Sequence, residues 1–175
     1  FTVLLACLTG VLGASCTGPR SRPNVIVILS DTHRYDYAGT DRNLSDLTPN
    51  VAALARDGMT FTRAYTVIPA SAPAYATLFT GLLPTEHGLV ANTQPLRPSL
   101  PVLAEVYASR GYDSAAFVSN AFCSAAYGFN RGFGTFWDDI DGGGKAGARV
   151  TNAALDWLEK RRGERPMFLF LAYMD

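Results

Sequence analysis

Segments rich in apolar residues and amphipathic stretches alternate along the chain, which is the pattern of alternating strands and helices. The first kind of segment predicts four strands, at residues 24–30, 59–65, 113–119 and 167–173. The amphipathic stretches, which mostly begin near Pro or Ser and end near Gly, predict four helices, at residues 48–58, 71–81, 99–110 and 148–161. This order predicts an α/β fold, in which helices flank a doubly wound, mostly parallel central sheet.

The first predicted strand, residues 24–30, reads Asn-Val-Ile-Val-Ile-Leu-Ser and contains no polar residue in its middle. Such a run is typical of a strand that is buried on both faces of a parallel sheet. In the helix that follows, Leu54 and Ala55 are expected to face inward. Ligands bind outside the carboxyl ends of the strands in such sheets, and Asp31 stands at one of these ends. The connections that follow can bring Ser71 to the same edge.

Composition narrows the class of protein and of ligand. The chain has 175 residues, of which 48% are hydrophobic and 17% charged, so it can bury a substantial core. Its 15 basic and 15 acidic residues cancel, and no Lys/Arg-rich run occurs. The sequence therefore lacks the electrostatic footprint of a nucleic-acid or anionic-membrane binder, and we expect a small ligand.

Residues 1–16 are uncharged and apolar, are too short to span a bilayer, and end in small residues before Cys16. They predict either an export signal or a lipoprotein signal with a lipid anchor at Cys16, and residues 17–22 then form a linker. The protein is accordingly expected to be exported to the periplasm, the outer surface or a lipid-anchored position in a bacterial envelope. Cys123 is the remaining cysteine after such processing, so we expect it to be a core residue without a disulfide.

Ser71 opens the second predicted helix at the N-cap position, with Pro73 in the first turn and Gly81 at the end. An N-cap hydroxyl lies beside unpaired N–H groups and the positive end of the helix dipole, which favours an oxyanion and attracts an anionic substrate. Ser71 is therefore a candidate nucleophile, although capping alone is the commoner role of serine at this position. Asp31 is likewise either a turn residue or a metal ligand.

Several separated segments resemble, in order and spacing, the sulfatase branch of the alkaline phosphatase superfamily. Residues 23–36, Pro-Asn-Val-Ile-Val-Ile-Leu-Ser-Asp-Thr-His-Arg-Tyr-Asp, are similar to the opening strand and metal-ligand turn of arylsulfatase-like members. The other similar segments are residues 48–58, 61–65, 78–88, 103–112, 131–134 and 168–175. The resemblance implies an alkaline phosphatase-like fold in which residues 23–175 are the N-terminal part of a catalytic domain that is truncated in this sequence.

The same resemblance assigns roles to two residues. Ser71 takes the position of the residue that sulfatases oxidise to formylglycine, and Asp31 takes that of the first metal carboxylate. The divalent metal is expected to be Ca²⁺ in a sulfatase and Zn²⁺ or Mn²⁺ in a phosphoryl-transfer enzyme. A hard cation with oxygen ligands would neutralise the ester's non-bridging oxygens and lower the pKa of the nucleophile.

Three positions depart from the family pattern. Thr32 stands in place of a second early carboxylate, and Tyr75 in place of an arginine four residues after the nucleophile. Residues 119–121, Ser-Asn-Ala, stand where many members have Lys-Trp-His. Because the usual cations that grip sulfate are missing, Tyr75 and Asn120 are the candidates for binding substrate oxygens. His87 is expected to be a hydrogen-bonded loop residue outside the site.

Three functions remain open at this stage. The first is metal-dependent hydrolysis of sulfate esters, with a small-molecule or glycan sulfate ester as the substrate. The second is a phosphoesterase or phosphoryl-group transferase, in which unmodified Ser71 attacks in line. The third is a catalytically inactive, sulfatase-like binding domain.

Overall fold

The computed structural model describes residues 22–38, 47–140 and 146–174. Within these ranges the strands are β1 Val25–Ser30, β2 Asp113–Val118, β3 Thr135–Asp138 and β4 Met167–Tyr173. The α-helices are α1 Pro49–Asp57, α2 Ser71–Thr80, α3 Pro84–His87, α4 Leu103–Ser109 and α5 Ala146–Lys160. Short 3₁₀ helices occur at Tyr35–Tyr37, Ala121–Cys123 and Ala125–Tyr127. No helix in the described ranges is both long enough and apolar enough to cross a membrane.

The described strands form one parallel sheet in the order β1-β4-β2-β3. In the register of its central strands, Phe170 of β4 lies beside Val27 of β1 and Ala116 of β2. Because the strands are parallel, the carboxyl ends of β1, β4 and β2 meet at one edge. This confirms the predicted α/β fold with a mostly parallel sheet.

Helices cover both faces of the sheet, so the doubly wound prediction is also confirmed. On one face α2 packs over the sheet through Ala72, Tyr75 and Phe79, and α4 packs beside it. On the other face α5 packs against β2 and β4 through Val150 and Ala154. Cys123 is fully buried in the α2 core, as expected, and within the described ranges it is a free cysteine.

Two expectations about burial in the N-terminal part are wrong. Strand β1 buries only one face, and Ile28 on its other face is 64% exposed. The reason is that β1 is an edge strand of the described sheet, while α5 lies over β2 and β4. Helix α1 forms where predicted but buries none of its residues, and Leu54, expected to face inward, is 71% exposed.

The strand predicted at residues 59–65 is absent from the structure. This segment is irregular and exposed, and Phe61 is 72% exposed. Its alternation of apolar and polar residues fits a strand, but a strand also needs a neighbour to pair with, and none lies beside it among the described residues. Conversely, β3 is not among the predicted strands, because four residues are too few to show a clear alternation.

The predicted helix at residues 99–110 is also shorter, since α4 begins only at Leu103. The start is set by Glu105, whose side-chain oxygen accepts a hydrogen bond from the backbone N–H of Val102 at 3.1 Å. This side-chain cap satisfies a backbone donor that the helix itself leaves free. The position of Pro101 therefore marks the approach to the helix rather than its first turn.

Candidate active site

A cavity of about 710 Å³ opens at the carboxyl end of β1, and it brings together the two residues singled out most strongly by the sequence. Asp31 lines it from the end of β1, and Ser71 lines it from the start of α2. Tyr75 and Asn92 also line the cavity with polar side chains, and Ile68, Pro69 and Leu78 form part of an apolar wall. Its volume lies in the range of small-molecule sites.

Ser71 is the first residue of α2 rather than its N-cap, which corrects the expected position by one residue. The N-cap is Ala70, whose extended backbone precedes the helix and whose side chain cannot cap it. No described residue forms a hydrogen bond with the Ser71 hydroxyl, which therefore remains available in the cavity. At the other end of α2, Gly81 adopts a left-handed conformation with φ of 72°, as a helix stop at Gly requires.

Asn92 supplies the missing cap from a loop. Its side-chain Oδ1 accepts a hydrogen bond from the backbone N–H of Ala72 at 2.8 Å. The backbone of Asn92 is held in turn by the Tyr127 hydroxyl, which donates to the Asn92 carbonyl oxygen at 2.9 Å. One of the N–H groups beside Ser71 is thus satisfied within the protein, while the positive end of the helix still faces the cavity.

Asp31 is fixed both through its backbone and through its side chain. Its N–H donates to the carbonyl oxygen of Tyr173 at 2.8 Å, which continues the β1 and β4 pairing by one residue. Its carboxylate Oδ2 accepts one hydrogen bond from the Tyr75 hydroxyl at 3.2 Å and a second, short one from Asn120 Nδ2. The two predicted substrate-binding residues therefore both contact the predicted metal ligand.

The environments of these two donors explain their geometry. Tyr75 is nearly fully buried, and its ring makes edge-to-face contacts with Phe129 and Phe170 at centroid distances of 6.1 and 6.4 Å. Burial raises the pKa of the Tyr75 phenol far above its ordinary value, and the nearby Asp31 acts in the same direction. The phenol is therefore neutral and donates its proton. Asn120 is 0% exposed and lies two residues after the end of β2.

Thr32, next to Asp31, has a strained backbone. Its φ of 56° lies in the left-handed region, and it is the one non-glycine residue with positive φ in the described ranges. For a β-branched residue this conformation is unfavourable, because Cβ approaches the following carbonyl group. The strain lies beside the cavity, where such distortions are commonly maintained by function.

His87 lies in α3 rather than in a loop, and its ring is buried and hydrogen-bonded as expected. Nδ1 accepts a hydrogen bond from the backbone N–H of Leu89 at 3.1 Å, and Nε2 lies 3.1 Å from the Thr77 hydroxyl oxygen. Burial lowers the pKa of His87. His87 does not line the cavity, whereas the exposed His33 does.

The described residues offer only part of a metal site. They contain no group of three or more His, Cys, Asp or Glu side chains arranged to hold a metal ion. Among the residues that the structure describes, Asp31 alone supplies a carboxylate to the cavity, and Ca²⁺ takes six to eight oxygen ligands. The donor type fits a hard cation, since Asp31 and Ser71 both offer oxygen. Asn92, which completes the polar side of the cavity, was missed by sequence reasoning.

The sequence of the chain is similar to sequences of known proteins. The family model described as Sulfatase matches residues 23–175. The chain is 34% identical to the ulvan-active sulfatase of Formosa agariphila over an alignment of 115 residues. This alignment covers 64% of this chain and 22% of that protein. The chain is also 25% identical to the N-acetylglucosamine-6-O-sulfatase of Bacteroides thetaiotaomicron over an alignment of 185 residues. That alignment covers 94% of this chain and 33% of that protein.

The fold is also found in a solved structure, that of a phosphonate monoester hydrolase of Agrobacterium radiobacter. The TM-score is 0.71 at 24% sequence identity, with 87% of this chain and 41% of that chain covered. This likeness concerns the fold alone. The chain spans only about a fifth to a third of the length of these two curated relatives.

Proposed function

The chain belongs to the sulfatase family, and we propose that it carries the nucleophile and one metal ligand of an enzyme that hydrolyses sulfate esters. The single observation that carries this proposal is the shared cavity of Asp31 and Ser71, which lie 40 positions apart in the sequence. A carboxylate and an unengaged hydroxyl at the carboxyl edge of a parallel sheet are the groups that metal-assisted attack on an ester needs.

The reaction follows from the chemistry of these groups. Members of the family are generally metal-dependent, and a bound divalent cation would withdraw charge from the non-bridging oxygens of the ester. Asp31 would hold that cation through a carboxylate oxygen, and Ca²⁺ is the ion we propose. Residue 71 would provide the attacking oxygen, as one hydroxyl of the hydrated form of the aldehyde proposed below. The sulfur–oxygen bond to the leaving alcohol would break as that alcohol takes up a proton, and sulfate would leave as the aldehyde re-forms. The N-terminal end of α2 would attract the anionic ester.

We further propose that Ser71 is converted to formylglycine, in which the side-chain alcohol has become an aldehyde. Ser71 is at the start of α2 with its hydroxyl unengaged by the described residues, so the atom to be oxidised is not held in a cap. The tyrosine at position 75, where the resemblance predicts an arginine, is the feature that favours the alternative of a plain serine attacking a phosphate ester. The two outcomes differ at a single side chain.

For the substrate we propose a small-molecule or glycan sulfate ester. One matching relative is named for acting on N-acetylglucosamine carrying a 6-O-sulfate group. A cavity of about 710 Å³ can take a ligand about the size of a sugar unit, and the apolar wall formed by Ile68, Pro69 and Leu78 could contact the face of its ring.

The test combines mass spectrometry with turnover. The full-length protein is expressed in a host that matures serine-type sulfatases, and the peptide containing Ser71 is weighed. Turnover is measured with 4-nitrophenyl sulfate, 4-nitrophenyl phosphate and glucosamine 6-sulfate. Ser71→Ala should abolish activity, whereas the control Ser99→Ala, at an exposed serine away from the cavity, should retain it.

A mass loss of about two units at Ser71 together with hydrolysis of the sulfates supports the proposal, since oxidation to an aldehyde removes two hydrogens. Unmodified Ser71 with hydrolysis of the phosphate alone replaces it with the phosphoesterase function. Absence of turnover on all substrates, in protein that binds metal and carries intact Ser71, indicates the inactive binding domain.

We also propose export, and a lipid anchor at Cys16 as one form of it. Residues 1–21 lie outside the described residues, so this proposal rests on the apolar, uncharged segment before Cys16. Metabolic labelling with palmitate should mark the wild-type protein and not Cys16→Ala. Export of unlabelled protein would instead support a cleaved signal without lipid.

A further inference from the structure

The two oxygens of the Asp31 carboxylate have different surroundings. Oδ2 accepts both the Tyr75 hydroxyl, at 3.2 Å, and the Asn120 side-chain amide. No described residue donates a hydrogen bond to Oδ1. Because Asp31 lines the cavity that also contains Ser71, Oδ1 is the oxygen that remains free for a ligand.

Asn120 can face Asp31 only with its NH₂ group. Its own Oδ1 accepts the backbone N–H of Phe122 at 2.8 Å, which caps the 3₁₀ helix that follows β2. An amide has its oxygen and nitrogen on opposite sides, so this cap turns Nδ2 toward Asp31. Because Asn120 is fully buried, a flip of its amide would place two donors, Nδ2 and the Phe122 N–H, against each other. It would also place two acceptors, Oδ1 and the Asp31 carboxylate, against each other.

Tyr75 is restrained in the same way by packing. Its ring contacts Phe129 and Phe170 edge to face, and only the hydroxyl at its tip meets a polar group. A buried phenol needs a hydrogen-bond partner, and Asp31 is the partner it has. Both donors are thus held by the core before any ligand arrives.

Neither donor carries a charge. A guanidinium or ammonium group in the same place would form an ion pair and offset the negative charge of Asp31. A neutral phenol and a neutral amide orient the carboxylate and leave its full charge available to a cation. Tyr75, which stands where the family pattern has an arginine, therefore changes what Asp31 presents to the cavity.

We propose that Tyr75 and Asn120 are positioning residues that occupy Oδ2 of Asp31 and leave Oδ1 as its single ligand atom for a divalent cation. This rests on the metal-binding role given to Asp31 in the proposed function. It assigns to Tyr75 and Asn120 an action through Asp31, in place of the direct contact with substrate predicted from the sequence. Partners that orient a metal ligand typically change metal affinity 10- to 100-fold when removed.

The test measures metal binding in the full-length protein after removal of bound metal with a chelator. Isothermal titration calorimetry with Ca²⁺, Mn²⁺ and Zn²⁺ is applied to wild type and to Tyr75→Phe, which removes one hydroxyl and keeps the ring packing. We expect Tyr75→Phe to raise the Kd for the best-bound cation about tenfold. Tyr107→Phe is the matched control, since this ring packs on Tyr112 and Phe168, away from Asp31, and its Kd should not change.

The outcomes separate a positioning role from a structural one. If Tyr75 only stabilises the fold, Tyr75→Phe lowers the melting temperature of the metal-free protein and binds the cation with the wild-type Kd, which overturns the inference. Asn120→Ser, folded as judged by circular dichroism, should also weaken binding, and unchanged affinity in both variants is decisive against it. Wild-type protein that binds none of the three cations overturns it as well.

Turnover of 4-nitrophenyl sulfate is followed on the same samples to keep the two proposals apart. Weakened metal binding in Tyr75→Phe with no turnover in wild type supports the positioning role and contradicts sulfate-ester hydrolysis. Turnover in wild type with unchanged metal affinity in Tyr75→Phe supports hydrolysis and overturns the positioning role.

Discussion

Acid should destabilise the folded protein through His87. The ring is 0% exposed, and its Nδ1 already accepts the Leu89 N–H, so a proton cannot be added there without breaking that hydrogen bond. Burial, the main cause, lowers the pKa of His87, and the Arg97 guanidinium acts in the same direction, whereas a hydrogen bond to the Pro73 backbone and the charge of Glu86 oppose it. An unfolded chain takes up the proton freely, with a pKa of about 6.5.

The magnitude follows from this difference in proton binding. A group whose pKa is lowered on folding favours the unfolded state once the pH falls below its unfolded pKa. Between pH 7 and pH 5 the unfolded chain takes up about 0.7 of a proton at His87, and the folded protein takes up less. The free energy of unfolding then falls by up to about 2 kcal/mol, with a limiting slope of about 1.4 kcal/mol per pH unit.

Urea unfolding of the full-length protein at pH 5, 6, 7 and 8 measures the effect. Wild type should lose more stability between pH 7 and pH 5 than His87→Asn, whose side chain does not titrate, with up to about 2 kcal/mol as the limit of the difference. His33→Asn is the control, because His33 is exposed to solvent, so its curve should follow wild type. Parallel curves for wild type and His87→Asn would refute the reasoning.

Three further changes test the strain, the cap and the core. Thr32→Gly should raise the free energy of unfolding by about 1 kcal/mol by relieving a left-handed backbone, and Thr32→Ala should not; an equal gain from both would contradict the strain. Asn92→Asp should still accept the Ala72 N–H and keep the melting temperature, but its charge should raise KM for an anionic ester about tenfold; an unchanged KM would place the ester elsewhere. Phe170→Ala should cost about 3–5 kcal/mol by urea unfolding, because this ring fills the centre of the core; a loss below about 1 kcal/mol would contradict that packing.

Elements that are encoded locally were predicted closely from the sequence. β4 has the predicted bounds, and β2 and α2 differ by a residue at most, because a continuous apolar run or a clear Gly stop defines each of them. The exposed face of β1 was not predictable in this way. An apolar run shows that a face can be buried, whereas the cover itself is supplied by other parts of the fold.

The same distinction applies to the candidate site, where some features were predictable from the sequence and others were not. Asp31 and Ser71 could be placed at one edge of the sheet from the sequence, because ligands bind outside the carboxyl ends of parallel strands and because Ser71 begins a helix. The hydrogen bonds that define their surroundings join residues 20, 44 and 89 positions apart, from Asn92 to Ala72, Tyr75 to Asp31 and Asn120 to Asp31. No periodicity in the sequence records such pairs, since each depends on where loops and helix ends meet in space.

The sheet itself is what brings the carboxylate and its donors together. Asp31 extends β1 beside Tyr173 of β4, and Ser119 ties the end of β2 to β4 through its N–H, which donates to Ala172 at 3.0 Å. Asn120 is the next residue, so the distance from Asn120 to Asp31 depends on the register across three strands. A shift by one residue in either pairing would turn the side chains there to the opposite face. The geometry of the polar cluster is therefore determined by the apolar residues that fix the strand register, so the packing of the core and the geometry of the site depend on each other.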